Sequence, residues 1–130
     1  MAEFEIVALY IGLFVLLFLG MKLNAGRVRA SVRVSIGDGG DARLQKAIRI
    51  QANAAEDVPV VLIGLLALAT LNAPTILLHG LGASFFLFRL AHAVTMAGNS
   101  GSGLGRMIGT LGTVLVMLVT AGACVYLAVV

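Results

Sequence analysis

Charge is scarce in this chain. Only 12% of its 130 residues are Asp, Glu, Lys or Arg, about half of the roughly 25% typical of a soluble domain. There is one cysteine and no tryptophan. The single cysteine, Cys124 in an apolar run, excludes an internal disulfide and a cysteine-held metal cluster, and it reads as a small apolar residue on a helix. The two histidines, His79 and His92, stand 13 residues apart with no cysteine beside them, so no metal-ligand set is expected. The glycines from Gly37 to Gly40 lack the following lysine and the strand context of a phosphate-binding loop. What the chain has in quantity is apolar: 60% of residues are hydrophobic and the mean hydropathy is +1.06. A water-soluble fold of this length could not hide so much apolar surface, so lipid must be its solvent. The length suits one domain.

The chain divides into four spans, at about 4–24, 42–72, 75–97 and 104–129, each long enough for the ~20 residues that cross a hydrocarbon core. The N-terminus carries Glu3 and Glu5 where a signal peptide has positive charge, so the first run reads as a retained span. Asp41 is placed to cap the second helix, and Pro59 stands inside it. The purely apolar part of the second span, Val58 to Leu71, is too short to cross alone. Its helix must therefore reach back through Asn53, Arg49 and Lys46. Asn72-Ala73-Pro74 reads as a tight turn and Gly98 to Gly103 as a flexible loop. The expected fold class is an all-α integral membrane four-helix bundle with up-down topology. Gly105 and Gly109 form a G-x-x-x-G pair suited to close helix approach.

Seven of the nine basic residues lie between Lys22 and Arg49. Apolar spans flank this segment and no aromatic residues are interleaved with it, so nucleic acid is not the expected partner. The positive-inside rule accounts for it instead. The loops after spans one and three carry the basic residues, which puts both termini on the non-cytoplasmic side.

The remaining polar residues form two stripes. At about 100° per residue, Lys46, Arg49, Asn53 and Glu56 share an arc of about 80° on the second helix, with Asp57 at its edge. The opposite face, Ile48, Ala52, Ala55 and Val58, is expected to be apolar. On the third helix Arg89, His92 and Met96 share a face. Ionisable groups in hydrocarbon cost several kcal/mol, so they are expected to face the bundle interior. One reading is structural: Arg49 pairs with Glu56 between helices, basic chains snorkel, and His92 packs. The other is a ligand site. Lys46, Arg49, Arg89 and Arg106 outnumber Glu56 and Asp57 at one depth, and such an excess wants an anion, with Asn53 and His92 adding directional hydrogen bonds.

The run Arg49-Ile50-Gln51-Ala52-Asn53-Ala54-Ala55-Glu56-Asp57-Val58-Pro59 resembles a known second-helix signature, R-x-x-x-N-x-x-E followed by proline. That signature belongs to the membrane-associated proteins in eicosanoid and glutathione metabolism, the MAPEG family. Phe88-Arg89-Leu90-Ala91-His92-Ala93-Val94 is similar to the third-helix segment of the family's prostaglandin synthase branch. The likeness extends over nearly the whole chain in length, span number and charge placement. It implies a homotrimer of four-helix subunits with glutathione between neighbours, near the cytoplasmic face. It implies further that Arg49, Asn53 and Glu56 bind glutathione, and that Lys46 stands where members often have another arginine. By the same likeness His92 matches a pocket histidine and Arg89 its neighbouring arginine. Arg106 is similar in place to the arginine that stabilises the thiolate. Met96 stands where the eicosanoid synthases often carry tyrosine, and Asp57 replaces an aromatic of some members, so the resemblance does not extend to specialised eicosanoid chemistry.

The chemistry of the residues agrees with that ligand. Glutathione has two carboxylates for planar guanidinium groups, an ammonium for Glu56, and a thiol that a nearby cation would help to ionise. The leading expectation is a glutathione-dependent transferase or peroxidase of a bacterial-type inner membrane, acting on a hydrophobic small molecule or a lipid hydroperoxide. The alternatives are a non-catalytic lipid- or anion-binding protein of the same fold and, further off, a small multidrug transporter. The usual carboxylate of such a transporter's first span is absent here.

Overall fold

The structure, a computed structural model, describes residues 2–98 and 103–130. Four helices occupy almost all of them: α1 (Glu3–Val32), α2 (Ala42–Thr70), α3 (Thr75–Ala97) and α4 (Gly103–Val129). Each is long and apolar enough to cross a membrane. The connection read as a flexible loop between Gly98 and Gly103 lies outside the described residues at 99–102.

The first helix overruns the span expected from hydropathy. The apolar run stops near Leu23, but α1 continues to Val32. Hydropathy marks where lipid ends, whereas a helix ends only where its hydrogen-bond ladder is broken, and no proline interrupts the residues beyond Leu23. The stop is at Arg33, in the left-handed region at φ 57°. The amides of Arg33 and Val34 donate back to Ala30 and Arg29, the paired bonds of a Schellman ending. The Arg29 guanidinium then donates to the carbonyls of Val34 and Gly37, at 3.3 and 2.8 Å, which ties the connection to the helix end.

Asp41 caps α2, its carboxylate accepting from the amides of Arg43 and Leu44 and pairing with the Arg43 guanidinium at 2.9 Å. The hydrogen bond from Arg43 holds the Asp41 carboxyl below its ordinary value. α2 runs unbroken through Pro59, whose missing amide leaves the Ala55 carbonyl without its helical donor. The turn into α3 has Asn72 at φ 55°, with amide bonds from Asn72 to Ala69 and from Ala73 to Leu68, a second Schellman ending. Asparagine tolerates that conformation better than most residues.

The helices alternate in direction. Tyr10 near the start of α1 meets His79 near the start of α3, while Lys46 near the start of α2 reaches Gly98 at the end of α3. In cross-section they form a rhombus. α2 and α3 touch each other along the short diagonal, and each also touches α1 and α4; α1 and α4 do not meet. Phe14 of α1 packs on Phe85 and Phe86 of α3, with ring centroids 4.9 and 5.5 Å apart.

The buried face of α2 is Leu44, Ala47, Ile50, Ala54 and Val58. The face opposite the polar stripe is divided: Val58 is buried, Ala55 is exposed, and Ile48 and Ala52 are half-buried. α3 and α4 pack closest. A Cβ added at Gly109 would lie 2.6 Å from the His92 Cβ and 2.8 Å from the Phe88 carbonyl oxygen, while Gly105 and Gly112 sit against Thr95 and the Phe88 ring. The expected glycine face is therefore the α3–α4 contact. Gly109→Ala should lower stability in detergent by about 1–3 kcal/mol through overpacking. Gly122→Ala, where an added Cβ meets nothing within 4 Å, should be neutral or slightly stabilising. Chemical or thermal unfolding of the two variants checks this.

Candidate functional site

The polar residues gather at the end of the bundle that carries the basic segment, but in two groups rather than one. Inside lie Arg89 and His92 on α3, with 3% and 4% of their surface exposed. Arg89 Nη1 donates to Asp57 Oδ2 of α2 at 2.9 Å. This is one of two salt bridges among the described residues. Arg89 Nε and His92 Nδ1 are buried with no hydrogen-bond partner among the described residues. The His92 backbone and Cβ lie against Gly109 of α4, so the absence of a side chain there is what admits the histidine.

Outside lies the α2 stripe. Arg49 and Glu56 are exposed and Asn53 is half-buried. Arg106, in the first turn of α4, is exposed as well. Lys46 is half-buried, and its Nζ donates to the Gly98 carbonyl at 2.7 Å, where the end of a helix favours a cation. Within one chain, then, Arg49 and Glu56 make no salt bridge with one another or with other described residues.

The expected excess of cations inside the bundle is not what the fold makes. Arg89 is the one buried cation among the described residues, and Asp57 answers it. The excess lies on the outward surface, at Arg49 and Arg106. The polar arc of α2 is broad enough for its edge, Asp57, to turn toward α3 while Arg49 and Glu56 turn away.

The pairing of Asp57 with Arg89 is what sequence reasoning passed over. The signal was available. α2 and α3 form a hairpin about a short turn; Asp57 lies 14 residues before Leu71, and Arg89 lies 15 after Pro74. Opposite charges at equal distance from a hairpin turn share a depth and can pair. A second polar pair also went unread: the Tyr10 hydroxyl sits 3.0 Å from His79 Nδ1 and 3.2 Å from the His79 carbonyl, at the opposite end of the bundle.

Comparison with known proteins adds to this geometry. The sequence profile described as MAPEG family matches residues 7–126. The chain is also similar to the proteins named Inner membrane protein YecN of Escherichia coli K12 and of Escherichia coli O6:H1. Each is 38% identical over 85 residues, which is 65% of this chain and 65% of the relative. The match thus spans just under two thirds of the relatives' own length. No solved structure matches the chain.

The Arg89 side chain is 3% exposed and that of Asp57 33%, so removing Asp57 strands a buried charge, at a cost of up to the about 3–5 kcal/mol seen for fully buried pairs, whereas replacing both by apolar residues is often neutral. Asp57→Leu should therefore destabilise the protein strongly in detergent. The double variant Asp57→Leu/Arg89→Met should recover most of the loss. A double-mutant cycle of unfolding free energies measures the coupling.

Proposed function

The chain belongs to the MAPEG family, and from that premise we propose that it is a membrane-bound, glutathione-dependent transferase or peroxidase of a bacterial inner membrane. The observation that carries the reading is the stripe of Arg49, Asn53 and Glu56 on a membrane-spanning helix, which leaves Arg49 and Glu56 exposed on the isolated chain. Hydrocarbon does not tolerate such groups uncovered. A neighbouring copy and a polar ligand between the two would cover them, so the working form is a homotrimer with glutathione at its subunit contacts.

In this reading Arg49 holds a glutathione carboxylate as a planar fork, with Lys46 adding positive charge nearby. Asn53 bonds a peptide group of the ligand, and Glu56 takes its ammonium. Arg89 and His92 form the floor, where Arg89 Nε and His92 Nδ1 remain available to a ligand or a water. Arg106 stabilises the thiolate. That thiolate attacks an electrophilic carbon delivered from the bilayer; the carbon–sulfur bond forms as the leaving group departs with its electron pair. With a lipid hydroperoxide, two glutathione molecules supply two electrons and two protons. The products are an alcohol, water and glutathione disulfide. The protein contributes orientation and charge stabilisation. The basic end faces the cytoplasm, where the positive-inside rule places it, so both termini lie on the other side.

Purified protein should conjugate glutathione to 1-chloro-2,4-dinitrobenzene above the buffer rate. Arg106→Ala should lower kcat by about tenfold to a thousandfold, the scale of losing one stabilising donor. Arg49→Ala should mainly raise the KM for glutathione. Activity at the buffer level, unchanged in Arg106→Ala, would sink the catalytic reading. Calorimetric binding of glutathione without turnover would favour a non-catalytic binding protein, the reading that Met96 in place of tyrosine supports. A C-terminal alkaline phosphatase fusion should be active, as expected for a terminus outside the cytoplasm.

A further inference from the structure

Besides Lys46, the basic end holds cations that the glutathione reading does not use. Arg27 of α1 and Arg43 and Lys46 of α2 line a cavity of about 210 Å³. A second hollow, of about 250 Å³, runs along α1 and α3, lined by Leu16, Gly20, Met21, Leu90 and Ala93. The two share Asn24, Ile50 and Ala97 as walls, and so form one groove with a charged mouth and an apolar floor. Neither hollow is lined by Arg49, Asn53, Glu56 or Arg106.

The charge of the mouth is incompletely answered. Arg43 pairs with Asp41 at 2.9 Å. Arg27 donates to the Asn24 side-chain oxygen at 3.2 Å and Lys46 to the Gly98 carbonyl, both neutral acceptors. Among the described residues neither Arg27 nor Lys46 has a carboxylate partner. The floor has the dimension of a leaflet. From Leu16 to Arg27 the rise along α1 is about 16 Å, against about 15 Å for half of a hydrocarbon core. The mouth opens where the apolar run of α1 ends, at headgroup height. The floor is open to lipid, since Leu16 and Val94 are more than 60% exposed.

We propose that this groove holds one anionic phospholipid, with its phosphate at Arg27, Arg43 and Lys46 and one acyl chain laid along Gly20, Met21, Leu90 and Ala93. A free inorganic anion would use the mouth and leave the floor without a role. A zwitterionic lipid would bring a cation of its own toward Arg27 and Lys46. An anionic lipid satisfies both parts of the groove, and the bilayer supplies it. The groove shares Lys46 with the glutathione reading, but its other residues, Arg27 and Arg43 at the mouth and the apolar floor, play no part there, so the two readings are tested by different variants.

The test uses the full chain in detergent, with dioleoylphosphatidylglycerol, dioleoylphosphatidylcholine or inorganic phosphate added, read by native mass spectrometry and thermal unfolding. Phosphatidylglycerol should bind about tenfold more tightly than phosphatidylcholine, given the worth of each basic residue at a membrane surface, and should raise Tm. The double variant Arg27→Gln/Arg43→Gln should bring the two lipids level. Gly20→Leu tests the floor without changing charge. An added Cβ there meets nothing within 4 Å, so the variant should keep its lipid-free Tm and lose retention of both lipids. Equal binding of the two lipids by the unaltered protein, or retention unchanged in both variants, would overturn the proposal. So would a phosphate effect matching that of phosphatidylglycerol, or a Gly20→Leu variant that changes oligomeric state instead of lipid retention, which would make the groove's occupant a second copy of the chain.

Discussion

Hydrocarbon offers no hydrogen bonds, so each polar group carried into it must find its partner within the protein, and this constraint organises the bundle. The smaller hydroxyls comply by bonding back to their own helices: Ser84 to Gly80, Thr95 to Ala91, Thr113 to Gly109. Tyr10 finds His79, Lys46 finds the end of α3, and Arg89 finds Asp57. Inside, Arg89 Nε, His92 Nδ1 and Thr120 Oγ1 have no partner among the described residues, while Arg49, Glu56 and Arg106 lie on the outer surface and toward the basic end. The polar groups left over for something outside the chain are thus the outer stripe and two buried atoms beside Asp57's ion pair, Arg89 Nε and His92 Nδ1.

The same constraint explains why α3 and α4 approach most closely. Between membrane helices lipid is as apolar as leucine, so association depends on packing and on small residues that let backbones near one another. Gly105, Gly109 and Gly112 present such a face to Thr95, His92 and Phe88. His92 can then be buried with its backbone and Cβ against Gly109 of α4, three residues along α3 from Arg89. Close packing and the placement of the ionisable interior are one arrangement.

The four spans, the Asp41 cap and the glycine face were legible in the sequence, because hydropathy, capping chemistry and residue size are local properties. The overrun of α1 was not, since a helix does not end where lipid ends. The buried face of α2 was not legible either, for a different reason. In water the polar side of a helix points away from the core, but in a bilayer an apolar side can face either protein or lipid, so polarity alone does not locate the core. Ala55 is exposed and Ala54 buried on that account. The candidate residues were correctly placed on their helices. Their division into an inner pair with Asp57 and an outer stripe required the rotation of α2 against α3, which depends on three neighbouring helices at once.

The rhombic cross-section has a consequence for biosynthesis. Helices leave the ribosome and enter the membrane in chain order, and here each arrival after the first meets a surface that is already present. α2 docks on α1, α3 on both of these, and α4 on the α2–α3 pair. No helix has to wait in the bilayer for a partner not yet made, and the ionisable groups of α3 arrive after Asp57 is in position to receive Arg89.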